Sequence, residues 1–189
     1  MKMRKLVYMA AIAVTFGVLA GLPSAAQAVP IPASSYLGQV VSGEPSNPSD
    51  EEGYINNLIS LAPGSLPTTI DGHLYVRSGN SCGTCPAAVF DHKNDNPIND
   101  GGVAHVDLGT GGFTYLLGKY DGPNGGDAVW NVQGLTGIVD IPFNMFGFDL
   151  SHWSLFGPGG GGVPDGGTTV MLLGAALGAL GTVRRFLKI

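Results

Sequence analysis

The sequence is poor in charge and poorer still in base. Only 12% of its 189 residues are charged, and six of its 9 lysines and arginines lie at the two ends: Lys2, Arg4 and Lys5 at the start, Arg184, Arg185 and Lys188 at the finish. Between residues 29 and 183 only Arg77, Lys93 and Lys119 stand against all 14 acids, a formal charge of 3 − 14 = −11. Without a basic footprint this stretch is no binder of nucleic acid or of anionic lipid. Catalytic signatures are missing too: there is no G-x-S-x-G elbow, H-E-x-x-H, P-loop, or G-x-G-x-x-G between a strand and a helix. His73, His92, His105 and His152 occur singly, as surface or hydrogen-bonded histidines do. Glu44, Glu51 and Glu52 could be paired as glycosidase carboxylates, but the last two open a helix, where the dipole accounts for them. The expectation is a protein that is not an enzyme.

Cysteine is nearly absent. Cys82 and Cys85, in SCGTCP, are the only two. Zinc would need two further ligands, and no second Cys-x-x-Cys or paired-histidine spacing supplies them. A thioredoxin-like site would need a βαβ context that is not visible. In an oxidising compartment a local disulfide across a glycine turn is expected.

The ends of the chain supply that compartment. Residues 1–28 have a basic start, an apolar run from Leu6 to Leu22 and the small-x-small site Ala26-Gln27-Ala28, the form of a secretory signal peptide cut after Ala28. At the other end GPGGGG opens a flexible linker, residues 157–162, followed by Val163-Pro164-Asp165-Gly166-Gly167 and an apolar run from Thr168 to Val183. Sixteen residues of helix extend roughly 24 Å, short of a hydrocarbon core of about 30 Å. Arg184 and Arg185 can snorkel to the headgroups and place the C-terminus in the cytoplasm, with Lys188 beside them as a stop-transfer cluster. The domain plan is therefore signal peptide 1–28, body 29–156, linker 157–162, and a terminal unit 163–189 with transmembrane helix 168–183.

The body reads as strands and turns. Asn47, Pro48 and the acids Asp50, Glu51 and Glu52 start one helix, and Ala62-Pro63-Gly64 stops it; Ile55, Leu58 and Ile59, with Tyr54 and Leu61, share its apolar face. Strands are expected at 36–41, 74–77, 87–90, 104–108, 114–119, 128–132, 136–141 and 151–156. In DAVWNVQG, alternation puts Ala128, Trp130 and Val132 on one face and Val129 and Asn131 on the other. The fold class is mainly β: a single jelly-roll-like β-sandwich with one short helix.

Two acidic loops could bind calcium, with Asp91, Asp95, Asp100, Asp121 and Asp127 as candidate ligands, although Asp, Asn and Gly are also ordinary turn residues. No other cofactor is implied. Tyr75, Tyr115, Tyr120, Trp130 and Trp153 could stack on sugars or fill a core; core is the expectation for the two tryptophans, with Tyr120 left open.

The order VPDGG, short apolar helix, RRFLK resembles the VPDGG-CTERM signal, a variant of the PEP-CTERM signals recognised by exosortases in Gram-negative bacteria that make extracellular polysaccharide. The segments YLLGKYDGPNGGDAVWNV, FDLSHWSLFGPGG and SGEPSNPSDEEGYINNLISLAPG are similar to extracellular domains found with these signals. The resemblance implies a substrate of an exosortase-like enzyme, held transiently at the inner membrane and destined for the cell surface or matrix. It leaves a carbohydrate-binding module for extracellular polysaccharide as the alternative and a secreted hydrolase as a third reading.

Overall fold

In the computed structural model, residues 27–120 and 125–157 are described. Residues 1–26 of the signal segment, with Ala26, the linker from residue 158, the motif 163–167, the span 168–183 and the basic cluster 184–188 lie outside these residues. So does Asp121.

Helix α1 runs from Pro48 to Ser60. Asn47 caps it, its side chain accepting from the Ser49 and Asp50 N–H groups at 3.1 Å each, and proline fills the first position, where a missing N–H costs nothing. Eleven strands surround it in sequence: β1 (Val29–Pro30), β2 (Tyr36–Val41), β3 (Thr68–Ile70), β4 (His73–Arg77), β5 (Phe90–Asn94), β6 (Val103–Asp107), β7 (Tyr115–Tyr120), β8 (Gly126–Asn131), β9 (Ile138–Pro142), β10 (Asn144–Met145) and β11 (Phe148–Phe156). The β3–β4 hairpin turns on Asp71 and Gly72, both with positive φ (51° and 87°), as a two-residue type I′ turn requires.

Seven strands form the large sheet in the order β10-β11-β7-β8-β2-β4-β3, with β5 added on β11; a second sheet of three runs β1-β9-β6. Neither sheet closes on itself. The expected jelly roll would divide its strands more evenly between two sheets. Here the large sheet is covered on both sides, by the small sheet on one face and by α1 on the other. Strand β7 is consequently buried at every position. Among the described residues no helix is long and apolar enough to cross a membrane.

Candidate functional site

The face of the large sheet under α1 carries a buried row of ionisable side chains. Cross-strand register builds it: on β11, β7 and β8, His152 lies opposite Lys119, and Lys119 opposite Asp127. Directly opposed residues share a face, so these three project together toward the helix, where Glu51 in its first turn meets them. Glu51 and Asp127 are fully buried, and Lys119 and His152 nearly so. A register shift between Leu150 and His152 sets the parity of β11. It sends Leu150 into the apolar core on one face and His152 to the ionisable row on the other, as the extra residue of a β-bulge does.

Two ion-paired groups make up the row. His152 Nε2 lies 2.7 Å from Glu51 Oε1, and Lys93 on β5 approaches that same oxygen at 4.0 Å while sitting 3.2 Å from Asp95. Glu51 Oε2 is buried with no hydrogen-bond partner among the described residues. Beside this group, Lys119 Nζ pairs with Glu44 at 2.7 Å, lies 4.0 Å from Asp127 and donates to the Gly43 carbonyl. The Gly43 backbone rests on the Asp127 carboxylate so closely that a Cβ there would come 2.0 Å from Oδ2. The Tyr54 hydroxyl donates to the Pro45 carbonyl at 2.7 Å. Burial first, and then the Asp127 and Asp50 charges, push the Tyr54 phenol well above its ordinary value. The segment from Gly43 to Asn47 thus straps the row beneath α1.

Reading Glu51 through the helix dipole captures only part of its environment, because its carboxylate is also the acceptor for a histidine 101 residues away. The remaining histidines are dispersed. His73 Nδ1 is 3.2 Å from the Ser42 carbonyl, the His92 ring tilts against Trp153, and His105 lies on the small sheet between Asp140 (2.6 Å from Nδ1) and Asp100 (3.2 Å from Nε2). Glu52 turns away from Glu51 to accept from the Phe90 N–H.

Among the described residues the calcium candidates do not converge. Asp91 is exposed on β5, Asp95 pairs with Lys93, Asp100 pairs with His105, and Asp127 is buried next to Lys119. Among the described residues no three His, Cys, Asp or Glu side chains form a group able to hold a metal ion. The sugar-stacking residues are likewise spoken for: Tyr75, Tyr115, Tyr120, Trp130 and Trp153 are all buried. Tyr120 donates its hydroxyl to the Pro142 carbonyl, and burial raises its phenol far above the usual range. Cys82 and Cys85 are joined in a disulfide at the end of the large sheet, where Asn131 reaches the Cys82 carbonyl.

Residues 162–186 match the family model of the VPDSG-CTERM motif. The matched stretch of the chain lies after β11. The chain carries a PEP-CTERM-like sorting motif. Gly166 stands where the motif's name has serine. Such a motif implies export, processing by an exosortase-like enzyme and a location in the cell envelope or at its surface. No curated protein and no solved structure matches the chain.

Proposed function

We propose that this protein is an exported, non-catalytic body, delivered to the cell surface or matrix by removal of its C-terminal tail. The match of residues 162–186 to the VPDSG-CTERM motif carries this reading. The apolar run 168–183 holds the chain in the inner membrane with Arg184 and Arg185 on the cytoplasmic side. The Pro/Gly segment Val163-Pro164-Asp165-Gly166-Gly167 is the stretch on which the processing enzyme acts. A non-catalytic body is supported by the burial of the Glu51–His152 pair under α1, which leaves a substrate no approach to it. The carbohydrate-binding alternative loses support because its candidate stacking residues are in the interior.

Mass spectrometry of surface-recovered protein tests the proposal. The mature chain should lack residues 168–189 and end within or close to 163–167, and Pro164→Ala with Asp165→Ala should leave full-length protein in the inner membrane. An intact RRFLKI end on surface protein refutes it.

A further inference from the structure

The two poles of the large sheet differ in charge, and the chain leaves the fold through one of them. Strand β11 ends at Phe156, opposite Tyr115 on β7. The Phe156 carbonyl accepts from the Thr114 N–H at 2.7 Å, and the Gly157 N–H donates to the Val89 carbonyl at 2.8 Å. The exit point is therefore fixed. Gly157 is required there, since a Cβ would come 2.6 Å from the Thr114 nitrogen.

Register identifies the loops that close this pole. Phe156, Tyr115 and Asn131 are neighbours across β11, β7 and β8, Trp130 is opposite Tyr36, and Gly38 is opposite Arg77. Segments 31–35, 61–67, 78–89, 109–114 and 132–137 therefore meet there, with Gly64 donating to the Ser78 carbonyl and Asn80 reaching Ala33. None contains Asp, Glu, Lys or Arg. Leu66 and Val89 are exposed among them. Three acids come near: Asp91 and Asp107 on strands that meet the pole, the latter accepting from the Gly109 N–H, and Glu52, which accepts from the Phe90 N–H. Arg77 is buried. At the opposite pole lie Glu44, Asp71, Asp95 and Asp100 in loops, Asp50 in the first turn of α1 and Asp149 near the start of β11, with Lys119 paired to Glu44 and Lys93 to Asp95.

We propose that this pole, whose loops carry no charged residue, is the face the body turns to the membrane while the tail anchors it. The inference rests on the sorting reading for the anchor, and on the fold for the direction. Eleven peptide units link Gly157 to Thr168, where the apolar run begins, and a Gly-rich chain of that length has a root-mean-square span of roughly 18 Å, so the exit pole stays near the lipid surface. An acidic body held that close to anionic headgroups is repelled unless its acids point away. The six residues of β7 extend about 20 Å between the poles, more than two screening lengths of about 8 Å, so acids at the far pole lie beyond most of that repulsion. The pole need not bind lipid; it is the part of the surface that an anionic membrane repels least.

The full chain, reconstituted by its tail into vesicles containing anionic lipid, tests the orientation. A fluorophore is attached through Gln133→Cys at the exit pole or Ile98→Cys at the opposite one, both exposed positions, and energy transfer to a headgroup-labelled lipid is read. Transfer should be strong from position 133 and weak from position 98. Equal transfer, or stronger transfer from 98, overturns the proposal. If the Gln133 variant does not fold, Thr136 in the same loop takes the label. In cells, Ser81→Glu, Thr84→Glu and Gln133→Glu together should slow tail removal by about tenfold or more. The same three charges at Ser49, Asn96 and Ile98 should leave it unchanged, as should the exit-pole set once twelve Gly/Ser residues follow Gly157. Equal rates for the two sets count against the proposal. The sorting reading fails by a separate result, the retention of residues 168–189 on unaltered mature protein.

Discussion

The large sheet is buried on both faces, yet the two faces are held by different chemistry. Against the small sheet it presents Leu116, Tyr120, Ala128, Trp130, Leu150, Trp153 and Leu155, which close an apolar core with Ala104, Val106, Val139 and Ile141. Against α1 it presents Leu37, Val40, Tyr75, Tyr115, Leu117, Val129 and Phe156, and at one end of that face the row His152, Lys119, Asp127. Along β7 the two chemistries alternate residue by residue, with Leu116 facing one way and Leu117 and Lys119 the other. The first face draws its stability from area removed from water. The second adds charges that are tolerable in the interior only while each keeps its partner. A loss on the first face should be additive and insensitive to charge. A loss on the second should depend on what is left behind.

The largest expected effect is on the apolar face. Trp130 is 3% exposed and packs against Tyr36 with ring centroids 6.0 Å apart. Trp130→Ala should destabilise the body by about 4 kcal/mol through lost transfer energy and a residual cavity. Denaturant unfolding of residues 29–157 reads it directly, and the loss should be the same in low and high salt. The ionisable row comes next. Lys119→Met removes a buried cation from beside Asp127 and should cost about 3 kcal/mol, because a buried carboxylate loses its nearby counter-charge. Adding Asp127→Asn should restore part of that loss. A double-mutant cycle with no coupling between the two positions would mean that the row is held by packing alone.

A smaller effect is expected at the disulfide. Cys82 and Cys85 are separated by 3 in sequence, so the closed loop is short and the chain-entropy account gives about 2 kcal/mol at most. Changing both to Ser should lower the melting temperature modestly and leave the fold intact. Reduction of the native protein should do the same. Two free thiols in carefully trapped exported protein would remove the bond from consideration.

Elements with local causes were legible in the sequence. Asn47-Pro48 and Ala62-Pro63-Gly64 bracket α1 because capping and proline geometry are local, and β2 spans the expected 36–41. The alternation of Ala128, Trp130 and Val132 holds, as does the core placement of both tryptophans. Strand β5 could not be read this way: Phe90-Asp91-His92-Lys93-Asn94 has turn composition, and its ladder with β11 makes it a strand. The expected strand at 87–90 instead yields only Phe90. The ionisable row was hidden for a related reason. Residues 51, 93, 119, 127 and 152 lie on separate segments of the sequence, and register and the β-bulge in β11 help bring them together. One signal was present: Lys119 interrupts Tyr-Leu-Leu-Gly-Lys-Tyr, a run apolar on both parities, and a lysine in such a strand needs a buried partner. The converse holds for the calcium and sugar candidates among the described residues: Asp91, Asp95, Asp100 and Asp127, read together in the sequence, are dispersed by the fold, and the five aromatic residues are buried by it.

The smallest expected effect lies on the outer side of the small sheet and contrasts with the buried row through solvent. His105 is flanked by Asp140 on Nδ1 and Asp100 on Nε2, so both ring nitrogens face acceptors and the arrangement suits the doubly protonated imidazolium. The hydrogen bond to Asp140, followed by that to Asp100, raises the His105 pKa above the ordinary 6.5. The sign of the linkage follows. A group whose folded pKa lies above its unfolded value contributes stability that is fully present below pH 6.5 and is lost as pH rises through the folded value. Because the ring is exposed, water and salt screen the pair, and the change in stability should be small. The titration itself is the sharper readout. NMR of the folded body should show His105 titrating above an unfolded reference peptide, and Asp140→Asn should lower its midpoint more than Asp100→Asn. High salt should shrink both shifts, as expected of an exposed group, while leaving the cost of Lys119→Met nearly unchanged. If the two sites respond equally to salt, the distinction between a solvated pair on the small sheet and a buried one under α1 does not hold.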